Sequence, residues 1–234
     1  MIKPILIIQN DVNEGAGLLL TLIHQRQLKS RTMLGWDIDY KGLKVDDYSS
    51  LVILGGAQGV YEVDKYPYLQ DEINLTKSFI KEEKSVIGFC LGAQIMAKSL
   101  GGNVLQNKQK EIGWFDIKLN EAALNDDLMM MQPITAKAYH FHGDYFSLPP
   151  ECVSLAKSEI TECQLFRYKN NVYGFQFHAE VDEDLISVMC RTNADYMQVN
   201  GYDADEVIKK SKTQIIDYQL RCSSILNKWL DKVE

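Results

Sequence analysis

Cysteine is sparse: five residues in 234, none in a C-x-x-C pair or at metal-type spacing. That excludes a disulfide framework and a zinc ribbon, and an odd, scattered set fits free thiols in a reducing cytoplasm. Basic runs are missing too, and the formal net charge is −7. A nucleic-acid or anionic-membrane surface is therefore not expected. The amino-terminal apolar stretch, Met1 to Ile8, ends after a few residues at Gln9, Asn10 and Asp11. It is too short for a signal-peptide core and far too short to span a bilayer, so the chain is expected to be soluble and cytoplasmic. No G-x-x-x-x-G-K-[ST] loop, internal repeat or low-complexity linker occurs. With 46% hydrophobic residues the chain can bury a full core, which predicts a single domain over 1–234.

Apolar patterning gives the organisation. Ile5 to Ile8, Ser50 to Leu54 and Ser85 to Phe89 are short apolar runs, as in strands covered on both faces. Helical spacing follows them over Glu14–Gln27 and Leu69–Lys84, with Ile73, Phe79 and Ile80 inward, and again after Cys90. Trp36 to Tyr40 alternates like a strand. After Gly102 the pattern turns to strands at Asn103–Gln106, Ile112–Leu119, Ala136–His142, Cys163–Tyr168 and Val172–Phe177. Lys169 to Asn171 supplies a hairpin turn between the last two. Helices are expected over Asp182–Met197 and Asp205–Lys232. The second carries Ile208, Ser211, Ile215, Tyr218, Cys222, Ile225 and Trp229 on one stripe. That stripe either packs on its own domain or joins two copies as a homodimer. Strands alternating with helices predict an α/β fold with a mostly parallel central sheet flanked by helices, and a carboxy-terminal helical extension. The boundary between core (about 1–182) and extension (about 182–232) falls after Val181.

Two stretches carry chemistry. Gly88-x-Cys90-x-Gly92 joins a strand to a helix, and glycines at this spacing let the two elements approach closely. A nucleophile on such an elbow sits at the carboxyl end of a sheet and the amino end of a helix. The helix terminus is expected to lower the Cys90 pKa. A small buried cysteine is the plain alternative. The second stretch, Val172 to Glu180, alternates as a strand and delivers His178 at its end, with Glu180 two residues on. A cysteine nucleophile needs a base, and the base needs a group to fix its tautomer; Cys90, His178 and Glu180 can fill those roles. His140 and His142 share one strand face. No cysteine or carboxylate accompanies them at ligand spacing, so no metal is expected. The run Met129 to Met131 suits gap-filling or a rim rather than a cofactor site.

With Leu54–Glu62 (Gly55 and Gly56 among them), Gly88–Gln94, Glu111–Trp114, His142–Asp144 and Gly174–Glu180 in hand, the sequence resembles the class I, triad-type glutamine amidotransferases. The likeness runs from Ile5 to about Val181 and is nearest to freestanding members similar to the glutaminase domain of GMP synthase. It implies a flavodoxin-like fold and hydrolysis of the L-glutamine side-chain amide through a γ-glutamyl thioester on Cys90, without a cofactor. It further implies an oxyanion hole from the backbone N–H groups of Gly56 and Leu91, and glutamine contacts from Gly55, Gln94, Phe141, His142 and Gly143. Most relatives have proline where this chain has Ala57, a change that leaves a backbone donor intact. A full GMP synthase adds an ATP-pyrophosphatase domain, and the remaining residues cannot hold one. Three readings stand: an amidotransferase supplying ammonia to a separate synthase subunit, a stand-alone γ-glutamyl peptidase with the same triad, and an idle binding or regulatory module.

Overall fold

The computed structural model describes residues 3–233. Met1 and Ile2, which begin the amino-terminal apolar run, and Glu234, which ends the expected domain, lie outside them. In chain order the elements are β1 (Ile5–Gln9), α1 (Gly17–Gln25), β2 (Ser30–Leu34), β3 (Ser50–Ile53), α2 (Tyr68–Lys81), β4 (Ser85–Phe89) and α3 (Leu91–Ser99). There follow β5 (Asn103–Leu119), α4 (Glu121–Leu124), β6 (Thr135–Ser147), β7 (Cys152–Lys157), β8 (Leu165–Tyr168) and β9 (Val172–Phe175). Three helices, α5 (Glu183–Thr192), α6 (Ala194–Val199) and α7 (Ala204–Leu230), end the chain.

Among the described residues nine strands form one sheet in the order β2-β1-β3-β4-β9-β8-β7-β5-β6. The half from β2 to β9 is parallel, and from β9 to β6 every pairing is antiparallel. Period-2 alternation sends neighbouring side chains of the parallel strands to opposite faces. Ile5, Ile7, Val52 and Ile87 enter one core with residues of α1, α5 and α7. Leu6, Ile8, Leu51, Ile53 and Val86 enter the other, with residues of α2 and α3. This is the α/β architecture expected from the alternation of elements.

Several boundaries differ. The second strand is Ser30–Leu34, whereas Trp36 to Tyr40 holds only a short 3-10 turn at Gly35–Asp37. β2 is the sheet's outer strand with Arg31 and Thr32 exposed, so it needs no apolar run, and charge there protects the edge. The two strands expected over 103–119 are one, interrupted by a register shift between Gln106 and Glu111 opposite β6. β7 carries no strong alternation and was not expected. One predicted helix over 182–197 is two, because the chain breaks at Asn193, whose side-chain amide donates to the Met189 carbonyl at 2.9 Å. Asp182 caps the first of them by accepting from the Leu185 N–H at 2.8 Å. The stripe on α7 is buried within its own chain: Ile215, Tyr218, Cys222, Ile225 and Trp229 all join the core on the α1 side of the sheet.

Candidate active site

The carboxyl ends of the parallel strands bring the candidate residues together, as is usual for open α/β sheets. β4 ends at Phe89, and the Cys90 N–H donates to the Phe175 carbonyl on β9 at 2.8 Å. Cys90 itself adopts φ 50°, ψ −108°, a conformation L-residues rarely hold and that costs about 1–3 kcal/mol. The chain can turn so sharply because of its flanking glycines. A Cβ on Gly92 would lie 2.1 Å from the Ile53 carbonyl oxygen, and one on Gly88 would lie 2.7 Å from the Gly92 carbonyl carbon. Leu91 then starts α3. Its N–H belongs to the first turn, where no intrahelical acceptor exists.

Opposite the elbow, the chain leaves its ladder earlier than the alternation suggests. β9 ends at Phe175, because the next N–H groups find other acceptors: Gln176 donates to the Gln164 carbonyl and His178 to that of Tyr139, each at 2.9 Å. The His178 carbonyl accepts from the Tyr218 hydroxyl of α7 at 2.7 Å, and the Glu180 carbonyl from the Leu18 N–H of α1 at 2.7 Å. His178 Nδ1 and Glu180 Oε1 are 2.7 Å apart, both side chains buried. A carboxylate can only accept, so Nδ1 carries the proton of this bond, and Nε2 holds a lone pair only in the neutral ring. Burial alone would lower the His178 pKa, but Glu180, with help from Cys90, outweighs it and holds the imidazole well above its ordinary value. Nε2 makes no hydrogen bond of normal length, yet His178 and Cys90 lie near enough to shift each other. The expected lowering of the Cys90 pKa is not found. Burial raises the thiol, and His178 only partly opposes this.

A cavity of about 580 Å³ opens over the elbow. Of the residues predicted from sequence, Gly56, Cys90, Gln94, Phe141, His142 and Gly143 line it, whereas Gly55, Leu91, His178 and Glu180 do not. Gln94 is turned to a neighbour, its amide donating to Gln176 Oε1 at 3.3 Å. Cys90 Sγ lies 3.6 Å from the Phe141 carbonyl oxygen and 3.9 Å from Gln176 Nε2. Gln176 was missed, although it shares the strand face of His178 two residues on. Glu14 was missed as well. It lines the cavity, and a Cβ on Gly55 would meet Glu14 Oε2 at 2.2 Å and His178 Cε1 at 3.0 Å. Burial raises Glu14 to about 7, against a lowering from His178. Its position just past β1, at the same end of the sheet as Cys90, was the available signal.

The two histidines do have a carboxylate beside them. Glu111 pairs with His142 across β5 and β6, a proximity that local spacing could not reveal. Glu111, His140 and His142 place their donor atoms within 4.8 Å of one another and would be the donor set for any metal here. Several of these atoms already have partners, while His140 Nε2 has none. Glu111 Oε2 accepts from Thr161 Oγ1 and Gln164 Nε2, both at 2.7 Å, and His140 Nδ1 lies 3.3 Å from His142 Nε2. His142 Nδ1 donates to the Asp144 carbonyl at 3.0 Å. These contacts hold the Phe141–Gly143 backbone against the cavity. They leave the His142 ring committed to the protein, so any contact it offers a ligand is through the main chain.

Comparison with known proteins agrees with this architecture. The family described as Glutamine amidotransferase class-I matches residues 19–186. The glutamine amidotransferase-like protein YfeJ of Salmonella typhimurium is 34% identical over 63% of this chain and 64% of its own length. GMP synthase (glutamine-hydrolyzing) of Neisseria meningitidis is 30% identical over 62% of this chain but only 27% of its own length. The chain thus spans under two thirds of YfeJ and about a quarter of that synthase. A crystal structure of a glutamine amidotransferase from Thermotoga maritima superposes with a TM-score of 0.89 at 26% identity, covering 100% of this chain and 99% of that one.

Proposed function

Because this chain belongs to the class-I glutamine amidotransferases, we propose that it hydrolyses the side-chain amide of L-glutamine with Cys90 as nucleophile, His178 as base and Glu180 as the group that orients the base. The observation that carries this reading is the strained Cys90 backbone facing a cavity, with the 2.7 Å His178–Glu180 pair behind it. Burial disfavours a free thiolate, so the neutral form of His178 takes the thiol proton at Nε2 as Sγ attacks the amide carbon. The developing oxyanion takes the N–H groups of Gly56 and Leu91; removing one such donor typically costs about 100- to 1000-fold in rate. His178 then passes its proton to the departing nitrogen, ammonia leaves, and water releases glutamate from the thioester. Gln94, Gly55 and the Phe141–Gly143 backbone are assigned to the amino-acid end of the substrate, and a separate synthase subunit to the ammonia.

A second reading is favoured by the cavity. At about 580 Å³ it falls in the range of sites for drug-sized ligands, about 300–1,000 Å³, and has room for a γ-glutamyl peptide. The same triad would release a peptide amine in place of ammonia.

Ammonia release from L-glutamine, with glutathione and γ-glutamyl dipeptides assayed alongside, separates the two. Cys90→Ala is expected to abolish turnover. Cleavage of the peptides without cleavage of glutamine would replace the first reading by the second. Turnover of either that survives Cys90→Ala would sink both.

A further inference from the structure

Beside the catalytic assignment stands a carboxyl group that it does not use. Glu14 sits in the loop between β1 and α1, lines the cavity with Cys90, and brings its carboxyl beside Gly55, near enough to His178 for their charges to interact. Any side chain at position 55 would occupy the place of its Oε2, at 2.2 Å. The same point lies 3.0 Å from His178 Cε1, the ring carbon that joins Nδ1 to Nε2. Glu180 approaches Nδ1. The imidazole thus has two carboxyl groups near it, and of the two residues Glu14 is the one that lines the cavity.

We propose that Glu14 is a specificity-determining residue that accepts a hydrogen bond from the leaving amine and so favours γ-glutamyl amides over γ-glutamyl esters. The proposal rests on the reading of Cys90 and His178 given above. In the acylation step the Cys90 Sγ–carbon bond forms and the carbon–nitrogen bond breaks. The nitrogen keeps the bonding pair and takes a proton from His178 Nε2, leaving as ammonia or a primary amine. A nitrogen placed to receive that proton lies next to Cε1, within reach of a carboxylate there. Its N–H groups gain acidity as the nitrogen takes that proton and becomes ammonium-like, which strengthens a bond to a carboxylate in the transition state over the ground state. The carbonyl oxygen cannot use this group, since two negative charges would repel; it turns to the N–H donors of Gly56 and Leu91. An alkoxide leaving group has no N–H to offer. Its charge would meet the carboxylate unfavourably. Burial holds Glu14 at about 7, with the charge of His178 pulling it down, so its ionised form is accessible at neutrality.

The test compares L-glutamine with L-glutamate γ-methyl ester, which shares the acyl group and differs in the leaving atom. Glu14→Gln and Glu14→Ala are expected to lower kcat/KM for glutamine by about 10- to 100-fold, the range of a hydrogen bond to a charged group. For the ester the same variants should stay within about twofold of the parent or exceed it. Equal losses on both substrates would mean that Glu14 only holds the site together, and no loss on either would mean that it touches no leaving group; each overturns the proposal. Labelling of Cys90 by a glutamine-like diazoketone in both variants checks that the site is intact. Failure of the underlying reading looks different: the parent enzyme itself would turn over neither substrate, or would do so without Cys90.

Discussion

Cys90 and Glu72 illustrate two ways in which a single residue is kept in an unfavourable state. At Cys90 the cost lies in the backbone, at φ 50°, and its surroundings hold it: the Phe175 carbonyl takes its N–H and two glycines clear the space on either side. Glu72 is an acid in a fully buried position, where desolvation raises its pKa to about 8. Its Oε1 accepts from Asn10 Nδ2 at 3.1 Å, and Asn10 in turn touches the Leu54 carbonyl at 3.5 Å and, through its own carbonyl, Gln58 Nε2 at 3.3 Å. The acid thus sits beneath the Gly55–Gly56 loop. Because the folded chain retains this proton after the unfolded chain has lost it, stability is full below about pH 4.5 and declines as pH rises to about 8. Glu14 acts in the same direction up to about pH 7. Glu72→Gln keeps the acceptor for Asn10 and removes the titration. Urea unfolding at about pH 5 and pH 9 should show a decline shallower by a few kcal/mol in the variant. A parallel decline in both proteins would mean that Glu72 is not the group being titrated.

At the scale of elements, the meeting of β3, β4 and α3 depends on one missing methyl group. Gly92→Ala would drive a Cβ to 2.1 Å from the Ile53 oxygen, a backbone atom that cannot turn aside. Overpacking of this kind costs at least about 1–3 kcal/mol, and here it should also displace Cys90, so unfolding midpoint and Cys90 labelling should fall together. A variant with parent stability and parent labelling would show that the elbow can open without harm. What could be read from sequence follows from how each element is used. β1, β3 and β4 are buried on both faces and announce themselves as apolar runs. β2 borders solvent and β7 belongs to the antiparallel half, and neither writes a clear period. Around the candidate site, the turn at Cys90 and the pairing of His178 with Glu180 were legible because elbow and strand end are local patterns. Glu14 and Glu111 were not, since what matters in each is a neighbour brought by the fold: His178 for one, His142 for the other.

For the molecule as a whole, the helical extension and the sheet share one interior. Trp229 and Leu230 near the end of α7 belong to the same core as Ile5 and Ile7 of β1, and Arg26 after α1 donates to the Asn227 carbonyl at 2.9 Å. Among the described residues no helix is long and apolar enough to cross a membrane. The likeness to the Thermotoga maritima structure covers the whole chain, α7 included.

The main-chain bonds of His178 have a consequence for how the protein moves. Its amide is tied to β6 and its carbonyl to α7, elements remote from it in sequence and on either side of it in space. Neither bond can open by fraying of a strand end. Deuterium should therefore enter the His178 amide only when the entire chain opens, at a rate that tracks global stability under increasing denaturant. Val12, 67% exposed on the loop that carries Glu14, should exchange by local fluctuation instead. Between them the two amides would separate the opening of the ring's surroundings from that of the solvent-exposed loop carrying Glu14. Substrate capture would then be a matter of the loop settling on a ring that does not move.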